Sequence, residues 1–151
     1  MRSALLMVCC AAVGCGSTMD ANSGEDHVRG KAVKIKLDQT HDDSLSADEG
    51  DHTDWKKLVL ADSMVISVNA YWDDPSVKSV IHVRDQFGGQ VFELKHEIGH
   101  AEDHWKDMKM REGEYYLEVV AEKGASVYTL EVTSSAGGDD DSGDPGVGRP
   151  E

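Results

Sequence analysis

Between residues 30 and 134 apolar side chains recur at every second position, and that period restricts the fold more than anything else in the chain. In Gly113–Val120 and its continuation, Tyr115, Leu117, Val119 and Ala121 alternate with Glu114, Tyr116, Glu118 and Val120. An extended chain with this alternation sets one face on a core and the other in water. Glu118 is thereby expected to point away from the core. The same period runs through Val33, Ile35 and Leu37, with Lys34 and Lys36 between them, and through Met64, Ile66, Val68 and Ala70. Trp55 to Leu60 and Ser126 to Val132 continue it. Turn chemistry punctuates the run: Asp73-Asp74-Pro75 breaks the chain, Asp85 to Gly89 joins Val80–Val83 to Val91–Leu94, and Lys123-Gly124 predicts a hairpin between the last two strands. Strands spaced this regularly imply an all-β domain, a β-sandwich. Residues 31–135 suffice for one such core without disulfides.

The amino terminus has a different composition. Arg2 precedes an apolar run from Ala4 to Val13 and then Gly14, the charged, hydrophobic and small-residue order of a secretory signal. With about ten apolar residues against the roughly twenty that span a bilayer, it is too short for a transmembrane helix. Ala12-Val13-Gly14-Cys15 resembles the lipobox of bacterial lipoproteins. That resemblance implies residues 1–14 as a signal peptide, cleavage before Cys15, lipid on that cysteine and a membrane as partner through the lipid. Gly16 stands where the enterobacterial pattern would need aspartate for inner-membrane retention, so the pattern implies the outer membrane, with the domain facing the periplasm or the surface. All three cysteines, Cys9, Cys10 and Cys15, lie in this segment, which leaves no second thiol for a disulfide after cleavage.

Two stretches have no apolar period. Residues 15–30 read as a flexible tether, and residues 136–151, with Asp139-Asp140-Asp141, as a disordered acidic tail. A net charge of −14 and the lack of a basic stripe argue against nucleic acid as a partner.

Within the domain, Thr53-Asp54-Trp55, Asp73-Asp74, Asp85 to Gly88, Gly113-Glu114-Tyr115-Tyr116 and Tyr128-Thr129-Leu130 follow one another in an order and spacing that resembles the bacterial pre-peptidase C-terminal domain. The resemblance implies a single jelly-roll-like antiparallel β-sandwich, a module found beside secreted peptidases and in envelope proteins. The sandwich is expected to stand without a peptidase domain here. Trp55 and Tyr128 are then expected as core or rim aromatics.

One motif points elsewhere. His96-Glu97-Ile98-Gly99-His100 matches His-Glu-x-x-His, which on a helix puts two zinc ligands on one face and a general base between them. Leu94, Ile98, Ala101, Trp105 and Met108 support a helix, and His104 extends the histidine row; yet Phe92, Leu94, His96 and Ile98 also alternate as in a strand. Asp103 and Lys106 stand where a metzincin needs glycine and histidine, and Glu118 and Glu122 lie in a strand-like run. On this balance no catalytic residue, metal ligand or cofactor is expected, and Glu97 as base with His96, His100 and His104 as zinc ligands forms the alternative. A second alternative is a calcium-stiffened spacer using Asp42-Asp43, Asp73-Asp74 or Asp139 to Asp141. The leading expectation is a lipid-anchored envelope protein that acts by binding, with another envelope protein or a surface glycan as partner.

Overall fold

The computed structural model describes residues 23–135; the signal segment, Cys15 and the acidic tail lie outside the described residues. Nine strands follow in order: β1 (Val33–Lys34), β2 (Thr40–Ser46), β3 (Thr53–Leu60), β4 (Met64–Trp72), β5 (Lys78–Asp85), β6 (Gln90–Lys95), β7 (Glu102–Met110), β8 (Gly113–Lys123) and β9 (Ala125–Ser135). They form two sheets, ordered β1-β3-β8-β5-β6 and β2-β9-β4-β7. Every pairing is antiparallel except the two-residue contact of β1 with β3. The expected β-sandwich is therefore present, and its core follows the period-two pattern. Leu58, Leu60, Ile81, Val83, Leu117, Val119 and Ala121 descend from the first sheet onto Ile66, Val68, Ala70, Trp72, Tyr128, Leu130 and Val132 of the second. Each removes apolar surface from water at roughly 25 cal/mol per Å².

Three local expectations need correction. The stretch from Val33 to Leu37 is not one alternating strand: pairing stops after Lys34, Val33 is exposed, and only Ile35 is buried. Asp38, with φ of 58°, turns the chain away there, accepting from the backbone N–H and hydroxyl of Ser134 at 2.9 Å each. The last two strands are not a hairpin pair. β8 lies between β3 and β5 in one sheet and β9 between β2 and β4 in the other, so Gly124, with φ of 79°, turns a corner between layers. β2 carries no apolar alternation because an edge strand needs only one anchor, here Leu45. Finally, residues 23–30, assigned to the flexible tether, pack on the domain. Ser23 is buried and accepts from the His52 N–H, while the Asp26 carbonyl accepts from Trp55 N–H at 2.9 Å.

Of the two expected aromatics, Tyr128 is in the core, 1% exposed. Trp55 stands on the outer face of the first sheet, edge-on to Tyr116 with ring centroids 6.4 Å apart. Glu118 also lies on that face, paired with Arg84 at 2.7 Å, and Glu122 with Lys78 at 2.5 Å. Between β5 and β6, the Asp85 carboxylate accepts from Phe87 and Gly89 N–H, and Gly88 adopts φ of 93°, which explains the glycine in this turn.

Candidate functional site

The histidine motif begins just after β6 and runs into a turn, with no helix across it. His96 follows the last residue of β6 and turns inward, its side chain fully buried. Its Nδ1 lies 2.5 Å from Asp103 Oδ2 and its Nε2 3.0 Å from the Pro75 carbonyl oxygen. Both neighbours are acceptors, so both ring nitrogens are engaged inside the protein. Asp103, on β7, also accepts from Trp72 Nε1 at 2.9 Å and from the Glu97 N–H at 3.2 Å. Gly99, with φ of 96°, then reverses the chain, its N–H bonded to the same Pro75 carbonyl.

The other motif members go outward. Glu97 and His100 have side chains 73% and 57% exposed and contact each other at 3.3 Å. His104 sits on β7 with Nδ1 2.9 Å from Asn69 Oδ1. The three histidines and Glu97 are thus divided between the interior, a turn and the outer face of a strand. The helical face that would align His96 with His100 does not form. The row from Glu102 to Met110 satisfies β4 as an extended partner, which decides between the two periods the sequence allowed.

A second polar cluster was not anticipated. Lys56 is 2% exposed, and its Nζ donates to Asp26 Oδ2 at 2.8 Å and to Asp43 Oδ2, with Asp54 Oδ2 at 3.9 Å. Asp54 in turn accepts from the Tyr128 hydroxyl at 2.7 Å. Oxygens of the three aspartates lie within 4.8 Å of one another, a spacing that suits a cation, and here the Lys56 ammonium occupies it. Burial opposes the ammonium, but the hydrogen bonds it donates to Asp26 and Asp43 outweigh this and hold the Lys56 pKa above its ordinary value. Asp54 receives less. Desolvation pushes its pKa up to about 7, against the partial pull of Lys56 and the Tyr128 hydroxyl. One ammonium faces three carboxylates and hydrogen-bonds two, so the third prefers a proton.

An aromatic row links the two clusters. The Tyr128 ring lies 5.8 Å from Trp72, and Trp72 lies 4.9 Å from the His96 ring. Asp54 and Asp103 thus terminate one continuous buried array that crosses the sandwich.

The pH dependence follows from Asp54. A carboxyl whose folded pKa exceeds its unfolded value of 3.8 favours the folded state when protonated, so stability falls as pH rises from about 4 through about 7. Asp54→Asn removes the group. Its stability relative to the unaltered chain should improve by about 2–3 kcal/mol between about pH 5 and about pH 8. Urea midpoints of both chains at the two pH values measure this, and an unchanged difference refutes it.

Two concave surfaces flank β6. A cleft of about 360 Å³ beside His96 is lined by Lys78, Ser79, His82, Glu93, Lys95 and Glu122 among others. Its lysines are already paired, Lys78 with Glu122 and Lys95 with Glu93. The larger, about 610 Å³, is a groove on the open side of the sandwich, where β6 and β7 end their respective sheets. Its floor is Phe92, Leu94, Trp105 and Met108, and Lys106 and Lys109 stand on its rim. No ion pair engages either rim lysine among the described residues.

No family model matches the chain, and no curated protein does. Solved structures do. The pre-peptidase C-terminal domain of collagenase from Bacillus anthracis is 23% identical with a TM-score of 0.56, covering 67% of this chain and 93% of its own. A surface-associated copper-binding protein of Methylomicrobium album BG8 (9% identity, TM-score 0.45) covers 67% of this chain and 97% of its own. A periplasmic inhibitor of g-type lysozyme from Aeromonas hydrophila (8%, TM-score 0.40) covers 69% and 97%. With the collagenase domain as the structural counterpart, the chain carries a β-sandwich with the fold of a pre-peptidase C-terminal domain.

Proposed function

We propose that this protein is a lipid-anchored component of the bacterial cell envelope that works by binding, as an accessory or assembly subunit, and performs no catalysis. The observation that carries the reading is the placement of His96. Both of its ring nitrogens face internal acceptors, and the residues that would complete a zinc site point elsewhere. The motif therefore reads as a structural element that seals the bottom of the core. The open groove between β6 and β7 supplies the kind of surface a binding module needs. The likeness to a domain that accompanies a collagenase supports an accessory role. Cys15 provides the anchor, and the packed residues 23–30 would set the domain close to the membrane.

Metabolic labelling with a palmitate analogue tests the anchor. The full chain should incorporate label and fractionate with outer membranes, and Cys15→Ser should lose both properties. Peptide hydrolysis tests the rest. A chelator-sensitive peptidase activity of the purified chain that disappears in Glu97→Gln would overturn the non-catalytic reading.

A further inference from the structure

The open side of the sandwich combines three features that have separate origins. β6 and β7 each end a sheet, so each carries backbone N–H and C=O groups with no neighbouring strand on that side. Between them the core is not closed: Phe92 and Trp105 are only partly buried and floor a groove of about 610 Å³. On the rim stand Lys106, Asp107 and Lys109, two cations without ion-pair partners among the described residues and one carboxylate, on a chain whose net charge is −14. An acidic protein that keeps two unpaired lysines beside an apolar groove is suited to a partner of the opposite charge.

Resting on the binding reading above, we propose that this groove takes an extended acidic peptide segment of a partner protein. The segment lies along β7 as an added strand, turns an apolar side chain onto Phe92 and Trp105, and sets carboxylates over Lys106 and Lys109. Main-chain hydrogen bonds to the edge give affinity, and the groove and lysines give selectivity. β7 is also irregular in a way that limits what can pair with it. Its register with β4 shifts between Ile66 and Val68, and Asp107 opposite that shift has φ of 59°. A bulged edge discourages long flat pairing and so restricts the guest to a short segment.

The test uses the full chain in detergent and fluorescein-labelled hexapeptides that alternate glutamate with valine and phenylalanine, read by fluorescence anisotropy. The acidic peptide should bind saturably and at least tenfold more tightly than its lysine counterpart. Lys106→Glu/Lys109→Glu should weaken it tenfold or more, while Lys34→Glu/Lys36→Glu, the same charge change at exposed sites on the β1 side, should leave it within twofold. A peptide N-methylated at alternate residues should fail to bind. Three results overturn the proposal: no saturable binding up to millimolar peptide, equal losses in the two double variants, or undiminished binding of the N-methylated peptide. These outcomes leave the envelope reading to its own test, because lipidation at Cys15 and peptide hydrolysis are measured independently of the groove.

Discussion

Lys56→Met should cost about 3–5 kcal/mol of stability at neutral pH, read from urea or thermal unfolding of the full chain. The substitution keeps length and apolar stem but removes the ammonium from among Asp26, Asp43 and Asp54. Two carboxylates that had a hydrogen-bonded cation would then face one another with none, and Asp54, 4% exposed at its side chain, would lose its only nearby positive charge. Breaking a buried pair from one side costs this much because a desolvated charge is left behind. The loss should shrink on acidification, as the stranded carboxylates take up protons. A loss below about 1 kcal/mol would mean that Lys56 is held by its apolar stem and that the ion pairs contribute no net stability. The same clamp holds Asp26 to β3, so the variant should also expose residues 23–30 to proteolysis ahead of the rest of the domain.

The second large effect separates two histidines that the motif treats as equals. His96→Ala should cost about 2–4 kcal/mol, whereas His100→Ala should change stability by less than about 0.5 kcal/mol. Removing the buried His96 ring opens a cavity against Trp72 and takes away the ring contacts to the Asp103 carboxylate and the Pro75 carbonyl. His100 only touches Glu97 at the surface. A zinc site built on the two rings gives another pattern: comparable losses from either substitution, and the same loss produced in the unaltered chain by a chelator. Melting temperatures of the two single variants, with and without chelator, decide between them.

How far the sequence discloses this fold can be traced to particular residues. β3, β4, β6, β8 and β9 are legible because each turns alternate residues to the core, and β5, with Ser79, Val80 and Ile81 buried in succession, as a short apolar run. β7 is ambiguous in sequence since Leu94, Ile98, Trp105 and Met108 suit a helix as well. Only the long-range partner β4, paired from Met64↔Met110 to Tyr71↔Glu102, makes the extended form the better one. The Lys123-Gly124 turn is legible as a turn, but a tight turn does not say whether the strands beside it share a sheet. The Lys56 cluster could have been sought: Leu58 and Leu60 face inward, and the period places Lys56 on their side. Its partners Asp26 and Asp43 come from a supposed tether and a strand without apolar alternation, so no local pattern links them. The groove is less legible still, because it depends on which two strands end their sheets.

That corner between β8 and β9 has a consequence for how the chain acquires its structure. The last two strands are the inner strands of the two sheets, β8 between β3 and β5 and β9 between β2 and β4. Until they are present, β3 has no antiparallel neighbour and β2 no neighbour in a sheet at all; only β1 with β3, β5 with β6 and β4 with β7 can pair from earlier sequence. A chain delivered amino terminus first thus reaches its final carboxyl-terminal strands before either layer can close. Nearly all pairings then form over long sequence separations, which makes folding slow and concerted. Such an order leaves both layers open until β8 and β9 arrive.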